Sequence, residues 1–417
     1  MSNKGFIQEL KERGIIKDAT HDINLSDITS IYCGFDPTAD SLHVGSLLPL
    51  ITMKRFVQAE VPVIALVGGA TGAIGDPSFK SEERQMKTME EIEVCKNAIK
   101  KQVSDFEPDF AMVDNMDWIS KIDMITFLRD FGKHFSINSM IGKESVKQRI
   151  SREEQGISFT EFSYMLLQSI DFLKLKELHN CNTQLGGSDQ WGNITSGIEL
   201  VRKVKGHEEK AFGITMPLIT KKDGTKFGKS ENGTVWLSSE KTTPFQFFQF
   251  WLSVEDSEIE KMLKLFSFKS IEEINQILEK DKASGKKPEA QKILAEEMTL
   301  LVHGKKGLDS ALRITESLFS NSFDSLEEED LKSLSKELDF KKIETSNILE
   351  MFVDSGLVKS KKEGRRHIQG NALSINGVKF TNGDIDIKAE HKSLSQNRQF
   401  FILKMGKKKV AFVECIC

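Results

Sequence analysis

Two segments of the chain carry residues suited to binding the phosphates of a nucleotide. DPTADSLHVGSL places His43 and Gly45 at the predicted start of a helix that directly follows a strand. An imidazole donor beside free backbone N–H groups suits an α-phosphate and a ribose, and Gly45 lets a purine lie against the backbone. KKDGTKFGKSENG holds Lys226 and Lys229 in a loop punctuated by glycines, where two flexible ammonium groups can hold a leaving pyrophosphate and then release it. Either segment alone is a weak signal, whereas the pair on one α/β domain is specific.

A third segment, EFSYMLLQSIDF, is predicted to form a core helix with a single polar stripe. Tyr164, Gln168 and Asp171 lie at i, i+4 and i+7 and therefore share one face. Such a stripe costs free energy unless its groups are hydrogen-bonded. It is interpreted either as an internal hydrogen-bond network or as one wall of a polar ligand site.

Glycines also follow a predicted strand in VGGATGAIGD, residues 67–76. Their spacing is not G-x-G-x-x-G, so the segment does not predict a nicotinamide dinucleotide site. It predicts instead a tight strand-to-helix turn that lets a ligand approach the backbone. The turn leaves Asp76 at the carboxyl end of a strand, where ligands of open α/β sheets bind.

Together these segments resemble the class I aminoacyl-tRNA synthetases, whose signatures are HIGH and KMSKS. The similarity extends to the bacterial tyrosyl-tRNA synthetase family and covers essentially the whole chain, including a C-terminal S4-like RNA-binding domain. It is carried by YCGFDPTADSLHVGS, VGGATGAIGDPSFK, FLRDFGKHFS, GISFTEFSYMLLQ, QLGGSDQWGNITSG, DGTKFGKS and AQKILAEEMTLLVHG. The resemblance implies that L-tyrosine reacts with ATP to give tyrosyl-adenylate and pyrophosphate, and that the tyrosyl group then passes to the 3′ end of tRNA(Tyr).

The resemblance implies a tyrosine pocket built around the polar stripe. Asp171 and Tyr32 match the positions that hydrogen-bond the phenolic hydroxyl of the substrate. Tyr164, Asp76 and Gln168 match those that hold its α-ammonium group. Further pocket positions match Thr71, Asn115, Gln184 and Gln190. Phenylalanine would leave the carboxylate and the phenol unpaired, which is why a pocket of this kind rejects it without editing.

The resemblance also implies an ATP site and a set of groups around the reacting phosphates. Asp189 matches a ribose-binding aspartate and Cys33 a ribose contact. The residues expected to bind ATP are Cys33, Gly34, Asp36, Gly45, Gly187, Asp189 and Lys229. The groups expected around the phosphates are Thr38, His43, Ser46, Lys80, Arg84, Lys226 and Lys229. Mg²⁺ is expected to accompany ATP, with no separate metal site, and catalysis is expected to rest on positioning and electrostatic stabilisation without a protein nucleophile.

One signature position departs from the family. Ser46 stands in place of the second signature histidine, giving HVGS. Serine still donates a hydrogen bond but reaches less far than an imidazole. Because loss of a full transition-state donor costs about 10² to 10³ in rate, the shorter donor is expected to reduce the rate by less than that.

The elements that must position these residues alternate between strands and helices over the first half of the chain. SIYCGF and PVIALVGG are predicted strands joined by the helix HVGSLLPLITMKRFVQA, which makes a βαβ unit. The predicted fold class is α/β, with a Rossmann-like parallel-sheet catalytic domain over 1–243. An α-helical anticodon-binding-type domain over 244–320, a charged linker with a short helix over 321–344 and a small α+β S4-like domain over 345–417 are predicted to follow.

Charge is unevenly distributed along the chain. Residues 357–417 carry 13 Lys and Arg against 5 Asp and Glu, whereas the rest carries 45 against 57. A basic tail on an acidic body indicates a polyanionic partner, with a solvated lysine-rich face as the alternative. The resemblance implies tRNA, contacted by Lys359, Lys361, Arg365, Arg366, Lys407, Lys408 and Lys409. It also implies a homodimer with Phe159 at the interface.

Composition bounds the setting of the protein. There is no run of 18 apolar residues and no signal-peptide core, and the five cysteines lack metal-ligand spacing, so a cytoplasmic protein with reduced thiols and no membrane partner is expected. The chain contains 28 Phe but only 2 Tyr, and both tyrosines fall in the expected pocket. This imbalance favours selection to spare tyrosine over neutral drift.

Three alternatives to an active synthetase differ in testable features. A catalytically silent paralogue that binds RNA would lack the lysine pair and the tyrosine pocket. A small HxGH nucleotidyltransferase would leave the helical region and the S4-like tail unexplained. A tryptophan-specific sister enzyme is disfavoured by the pairing of Tyr32 with Asp171.

Overall fold

The computed structural model forms two compact units. The first comprises Met1–Ser238 and Glu255–Ala290, and the second comprises Ser239–Val254 and Gln291–Cys417. The residues that the structure describes are all except 1–2, 77–86, 144–145, 148–149, 151–155, 221–226, 231–232, 285–288, 321, 324, 385, 388–393, 395–398, 407–408 and 417. The predicted boundaries at 243, 320 and 344 stay predictions.

The helices and strands are numbered separately in chain order. The helices are α1 Asn3–Glu12, α2 Leu47–Gln58, α3 Gly69–Ile74, α4 Met89–Phe106, α5 Met116–Ile119, α6 Met124–Thr126, α7 Ile137–Ile141, α8 Phe159–His179, α9 Trp191–Lys205, α10 Pro244–Leu252, α11 Ile259–Phe266, α12 Ile271–Ser284, α13 Ala290–Ser320, α14 Glu328–Glu337, α15 Ile348–Asp354 and α16 Lys361–Gln369. The strands are β1 Asp18–Ala19, β2 Ile31–Phe35, β3 Val63–Val67, β4 Ala111–Asp114, β5 Thr183–Gly187, β6 Phe212–Met216, β7 Lys229–Ser230, β8 Gly233–Thr234, β9 Asp339–Ile343, β10 Leu373–Ile375, β11 Val378–Lys379, β12 Gln399–Met405 and β13 Lys409–Cys415.

The first unit is built on a six-stranded sheet in the order β1-β6-β5-β2-β3-β4. All neighbouring pairs are parallel except β1 with β6. The apolar runs VIALV of β3 and FGITM of β6 are buried throughout, as expected of parallel strands with both faces covered. The predicted α/β class, the two predicted strands and the βαβ unit are therefore confirmed.

Strand order reverses beside β2, which determines where a ligand can enter. The chain runs outward from β2 to β3 and β4 on one side, and returns to β5 and β6 on the other. Tyr32 is consequently paired with Ile64 on one neighbour and with Gln184 on the other. In open α/β sheets, the crevice outside the carboxyl ends of the strands at such a reversal binds ligands.

Helix α8 forms as its local sequence predicts. Ser158 accepts a hydrogen bond from the backbone N–H of Glu161 at the N-terminus, and Asn180 ends the helix in a left-handed conformation with φ 49°. Tyr164 and Asp171 are buried within it, as the polar stripe requires. The helix thus presents its polar groups to the interior of the first unit.

The second unit contains a five-stranded sheet in the order β11-β10-β12-β13-β9 with apolar cores on both faces. Along β12, Phe401 and Leu403 belong to one core with α15 and α16, whereas Phe400 and Ile402 belong to the other with α13 and α14. This alternation follows the two-residue period of a strand. Residues of 291–320 and of the C-terminal sheet therefore share one core.

Three observations qualify the sequence predictions. Within 321–344 the short helix is present as α14, but the segment also contributes β9, which pairs in parallel with β13 and places Ile343 in a core. Cys33, Cys95 and Cys181 are free, whereas Cys415 forms a disulfide, so the expectation of five reduced thiols is wrong for Cys415. Among the described helices, none has the length and apolar character needed to cross a membrane.

Candidate active site

A cavity of about 470 Å³ lies in the first unit, at the carboxyl ends of β2 and β5. It gathers predicted residues from segments that are far apart in the sequence. The predicted residues that line it are Tyr32, Cys33, Gly34, Asp36, Thr38, His43, Gly45, Ser46, Thr71, Asp76, Tyr164, Gln168, Asp171, Gln184, Gly187, Asp189 and Gln190. The cavity therefore coincides with the reversal of strand order.

Asp171 is held at the inner wall of the cavity by two hydrogen bonds. The indole Nε1–H of Trp118 donates to its Oδ1 over 2.8 Å, and the amide of Asn115 donates to its Oδ2 over 3.0 Å. Burial raises the pKa of the Asp171 carboxyl to about 7, although these two bonds act in the opposite direction. The carboxyl is thus oriented for a third donor and titrates near neutral pH.

Three cavity-lining side chains carry a buried polar atom with no hydrogen-bond partner among the described residues. These atoms are the Tyr32 hydroxyl and the Oε1 atoms of Gln168 and Gln184. Burial, and then the charge of Asp171, raises the pKa of the Tyr32 phenol well above its ordinary value, so the phenol is neutral. Because buried polar groups are normally paired, these atoms indicate a polar ligand with several hydrogen-bonding groups.

Asp36 lies at the centre of a second network. Its Oδ2 accepts from the Tyr164 hydroxyl over 2.8 Å, and its Oδ1 accepts from the Thr71 hydroxyl over 2.7 Å. Asn115 donates to the Thr71 oxygen over 3.0 Å and accepts from the backbone N–H of Ala70 over 2.7 Å. Asn115 is fully buried, is not among the residues that line the cavity, and holds the cavity wall through these bonds. Its predicted place in the tyrosine pocket stays a prediction.

The polar rim after β5 is joined to the end of the glycine-rich turn. Gln190 donates to Asp76 over 2.7 Å and to Asp189 over 3.2 Å, and its carbonyl oxygen accepts from Asn193. A Cβ on Gly187 would lie 2.3 Å from the Asp189 carboxylate, so a side chain here would displace that carboxylate. Through Gln190, the carboxylate of Asp76 from the predicted tyrosine site and that of Asp189 from the predicted ATP site share one hydrogen-bond donor.

The turn that is predicted to bind phosphate contributes His43, Gly45 and Ser46 to the lining of the cavity. His43 caps the short 3-10 turn Val44–Ser46 that leads into α2, and its Nδ1 accepts from the Gly45 backbone N–H over 3.0 Å. A Cβ on Gly45 would lie 2.7 Å from the imidazole Cε1, so a side chain here would displace the ring. Ser46 makes no capping hydrogen bond through its side chain and lines the cavity.

Several predicted residues lie elsewhere or outside the described part of the chain. Lys80, Arg84, Lys226, Lys407 and Lys408 are not described. Lys229 begins β7, where its backbone pairs with Thr234. Phe159, the first residue of α8, is 72% exposed.

The described basic residues of the C-terminal region occupy different environments. Lys361 is paired with Glu350 over 2.6 Å, and Arg365 with Asp384 over 2.8 Å. Lys359 and Arg366 are exposed, as is Lys409 at the start of β13. The predicted RNA-binding set therefore contains both paired and solvent-facing cations.

Two tryptophans that the sequence reasoning missed belong to this site. Trp118 bonds Asp171, and Trp236 lines the cavity with its ring centroid 6.3 Å from that of His43. For Trp118 a signal was present: it stands three residues after Asn115, at the carboxyl end of β4, where site residues of a parallel sheet gather. For Trp236 the sequence offered none, because its partner is almost 200 residues away.

Two family descriptions match the chain. The family "tRNA synthetases class I (W and Y)" matches residues 26–320, and the "Tyrosine--tRNA ligase SYY-like C-terminal domain" matches residues 330–413. Among curated relatives, the Tyrosine--tRNA ligase of Escherichia fergusonii is 48% identical over 426 residues and 99% of each chain. That of Aliivibrio fischeri strain MJ11 is 51% identical over 418 residues and 97% of each chain.

Solved structures show the same relationship. The C-terminally truncated mitochondrial tyrosyl-tRNA synthetase of Aspergillus nidulans superposes with a TM-score of 0.68 at 30% identity, covering 75% of this chain and 94% of that chain. Tyrosyl-tRNA synthetase from Archaeoglobus fulgidus, complexed with L-tyrosine, superposes with a TM-score of 0.54 at 16% identity, covering 73% of this chain and 99% of that chain. The latter likeness establishes the shared fold alone.

Proposed function

The chain belongs to the tyrosine–tRNA ligases of the class I aminoacyl-tRNA synthetase family, and from this membership we propose that its cavity binds L-tyrosine and ATP side by side. The enzyme activates tyrosine with ATP and transfers it to tRNA. The observation that carries the assignment of the site is the set of three unpartnered polar atoms in the cavity wall, on Tyr32, Gln168 and Gln184.

We propose that the phenol of the substrate binds at the inner wall. Asp171 accepts a hydrogen bond from the substrate hydroxyl, and the Tyr32 hydroxyl is the second hydrogen-bond partner of the substrate hydroxyl. The donors Trp118 and Asn115 support this role because each binds one oxygen of Asp171, and together they orient the carboxyl. Phenylalanine would leave the buried Tyr32 hydroxyl without a partner, a penalty of about 1–3 kcal/mol, and would offer Asp171 no third donor.

The α-ammonium group is assigned to the polar network between α8 and the glycine-rich turn. Gln168 offers its unpartnered Oε1, and Asp76 and Tyr164 complete the subsite. Thr71 and Gln184 are assigned to the same pocket. Gln190 is assigned to it as well, and its bonds to Asp76 and Asp189 connect the amino-acid end with the ribose end.

ATP is assigned to the opposite end, with ribose at Asp189 and Cys33 and the phosphates near Thr38, His43 and Ser46. Lys80, Arg84, Lys226 and Lys229 are proposed to reach the same phosphates. Mg²⁺ is proposed to arrive with ATP, since this ion is commonly held by substrate phosphates and retains several waters. Among the described residues, no group of three or more His, Cys, Asp or Glu could hold it alone.

No residue of the chain is needed as a covalent nucleophile. The tyrosine carboxylate attacks the α-phosphorus of ATP in line, the bond to the β-phosphate oxygen breaks, and pyrophosphate leaves. The 3′-terminal ribose hydroxyl of tRNA then attacks the acyl carbon and releases AMP. The protein contributes alignment of the two reactants and donors for the charge that develops on phosphate oxygens.

Three proposals concern the whole protein. The basic residues of 357–417 contact tRNA phosphates, the protein acts as a homodimer, and it works in the cytoplasm. A dimer is supported by a run of exposed apolar side chains in the first unit: Met124, Ile125, Leu128, Ile137, Ile141, Ile150 and Phe159. Exposed apolar patches of this kind mark interaction surfaces.

The deciding experiment is ATP–pyrophosphate exchange with purified protein and each of the twenty amino acids in turn. Exchange stimulated by tyrosine alone is expected. Exchange with another amino acid would overturn the specificity, and no exchange with any would favour a silent RNA-binding relative. Sedimentation of the protein at micromolar concentration tests the dimer independently, and a Phe159→Glu variant is expected to shift it towards the monomer.

A further inference from the structure

The segment 235–237 follows the lysine loop, which is the stretch KKDGTKFGKSENG at 221–233. This segment lies directly against the turn that carries His43. Val44 donates its N–H to Val235 over 2.9 Å, and Leu237 donates to Leu42 over 2.8 Å, so that His43 and Trp236 form an antiparallel bridge. Both hydrogen bonds flank the bridge, which makes His43 and Trp236 a non-hydrogen-bonded pair. The side chains of such a pair point to the same face at short range.

The hydrogen bond to Gly45 fixes the proton on the His43 ring. A backbone N–H is an obligatory donor, so Nδ1 accepts from Gly45 and carries no proton. In the neutral imidazole the proton therefore resides on Nε2, which becomes the donor of the ring. A rotation of the imidazole would break the bond to Gly45 and misdirect this donor.

Trp236 provides the wall that opposes such a rotation. Its ring lies 6.3 Å from the imidazole at an interplanar angle of 66°, an edge-to-face arrangement, and both residues line the cavity. Aromatic pairs at this separation and orientation attract beyond their buried area. On the other side, Gly45 closes the space around Cε1 and Nδ1.

The residues next to this pair in the sequence, Val44 and Val235, contact the backbone at Gly228, just before Lys229. Val235 donates its N–H to the Gly228 oxygen over 2.8 Å, which closes the hairpin of β7 and β8 one residue before Trp236. Gly228 has φ +93°, and a Cβ there would lie 2.8 Å from Val44 Cγ1. The strand that begins with Lys229 therefore starts from backbone packed against the residue next to His43.

We propose that Trp236 is a positioning residue for adenylate formation. Its indole ring holds the His43 imidazole with Nε2–H as the donor to the phosphates of ATP, while the backbone hydrogen bonds of its neighbours Val235 and Leu237 keep the strand segment against the same turn. This inference rests on the proposed role of His43 at the phosphates. It goes beyond that role by assigning the orientation of the imidazole to Trp236.

The test compares Trp236→Leu, Trp236→Phe, His43→Ala and the double variant Trp236→Leu/His43→Ala in ATP–pyrophosphate exchange. Trp236→Leu is expected to lower kcat about tenfold, less than the loss of a full donor, with the KM for tyrosine within about twofold of wild type. Trp236→Phe, which retains an aromatic edge, is expected to stay within about threefold. Thermal unfolding of each variant shows whether the fold is retained.

The double variant separates positioning from a general structural effect. If Trp236 acts through His43, removing both is no worse than removing His43 alone. Multiplicative losses in the double variant would overturn the proposal. If His43→Ala retains wild-type exchange, the proposed role of His43 fails and this inference fails with it, an outcome distinct from multiplicative losses.

Histidine NMR gives a readout that does not depend on activity. The imidazole signals of His43, identified by their absence in His43→Ala, are expected to show the Nε2–H tautomer in the wild type. In Trp236→Leu they are expected to show averaging between tautomers. An unchanged Nε2–H signal in Trp236→Leu would contradict the proposal even if exchange were slow.

Discussion

Burial gives Asp171 a carboxyl that changes charge near neutral pH, because its pKa is raised to about 7. As the pH falls through 7, the carboxyl gains a proton and is no longer an acceptor free for the substrate phenol. We therefore expect the KM for tyrosine to rise by up to about tenfold per pH unit below 7. Pyrophosphate exchange between pH 6 and 8.5 measures this.

The raised pKa of Asp171 also determines how the stability of the protein depends on pH. The folded-state pKa of Asp171 lies above its ordinary value of 3.8, so its contribution to stability is fully present below pH 3.8 and is lost as the pH rises through 7. The variant Asp171→Asn removes this titration. A tyrosine KM in that variant that still followed the wild-type pH profile would assign the profile to another group.

Tyr32 offers a second prediction at the scale of one residue. Its hydroxyl has no partner among the described residues, so Tyr32→Phe removes no internal hydrogen bond and is expected to leave stability unchanged or slightly higher. Selectivity for tyrosine over phenylalanine, measured as the ratio of kcat/KM values in exchange, is expected to fall about two- to tenfold. Unchanged selectivity in Tyr32→Phe would show that its hydroxyl does not contribute to discrimination between tyrosine and phenylalanine. Asp171→Ala is expected to abolish useful tyrosine activation.

At the scale of elements, α13 is interrupted beside the half-buried His303. Gly304 has φ 67° and ψ −176° within the helix, and the His303 ring packs edge-on against Phe247 at 4.8 Å. Its Nε2 has no hydrogen-bond partner among the described residues. The ring therefore packs against Phe247 beside a break in the helix.

This burial predicts acid lability of the second unit. Burial lowers the pKa of His303 from 6.5 to about 4. The contribution of the neutral ring to the free energy of unfolding is therefore fully present above pH 6.5 and is lost as the pH falls towards 4. The loss is about 3 kcal/mol over that window. Urea unfolding at pH 7 and pH 4.5 should show a smaller pH-dependent drop in His303→Leu than in the wild type. Equal drops would mean that other groups account for the acid sensitivity.

Elements differ in how far their sequence determines them. The first two parallel strands were predictable because buried apolar runs bounded by turns have few alternatives. The polar stripe of α8 indicated either a hydrogen-bond network or a ligand wall before any geometry was known. Strand β9 was not, because DFKKI is short and charged and becomes a strand only by pairing with β13. Trp236 was not predicted for the same reason, because its role depends on a contact with His43, which is distant along the chain.

At the scale of the whole molecule, the shared core of the second unit determines how tRNA binding should be tested. Deleting 345–417 would strip Phe400, Ile402 and Phe412 from Ile314 and Leu331, and would damage more than an RNA contact. Substituting the exposed residues Lys359 and Arg366 by Ala avoids this. We expect a higher KM for tRNA in charging and a salt dependence of binding weaker by about one per removed phosphate contact, with exchange unchanged.

A matched control uses a cation that is already neutralised. Arg365 is bound by two hydrogen bonds to Asp384, so replacing it is expected to weaken tRNA binding less than replacing Arg366 in the same helix. A larger effect at Arg365 would mean that its ion pair opens when RNA binds. Unchanged charging in the Lys359 and Arg366 variants would assign another role to this face.

The scarcity of tyrosine is also a property of the whole molecule. An enzyme that supplies tyrosyl-tRNA depends on its own product for synthesis, and each tyrosine codon is a place where synthesis stalls when tyrosine is short. Phe245, Phe250, Phe268 and Phe319 are at least partly exposed, so a hydroxyl there could reach water. Changing all four to Tyr is expected to leave stability within about 0.5 kcal/mol.

The expected phenotype is a several-fold lower yield of full-length protein from tyrosine-limited translation, with equal yield when tyrosine is ample. The control carries Leu at the same four positions. Equal yields of the Tyr variant, the Leu variant and the wild type under limitation would contradict selection to spare tyrosine.

The confinement of both tyrosines to the cavity wall makes them a native reporter system. Tyr32 and Tyr164 are the 2 tyrosines of the chain, and both are buried beside the proposed ligand. Protein grown with 3-fluorotyrosine would thus carry fluorine nowhere else, and its ¹⁹F spectrum would contain one resonance from each side of the bound amino acid. Ligand occupancy and ligand exchange at this site could then be followed in the intact enzyme without assignment of any other signal.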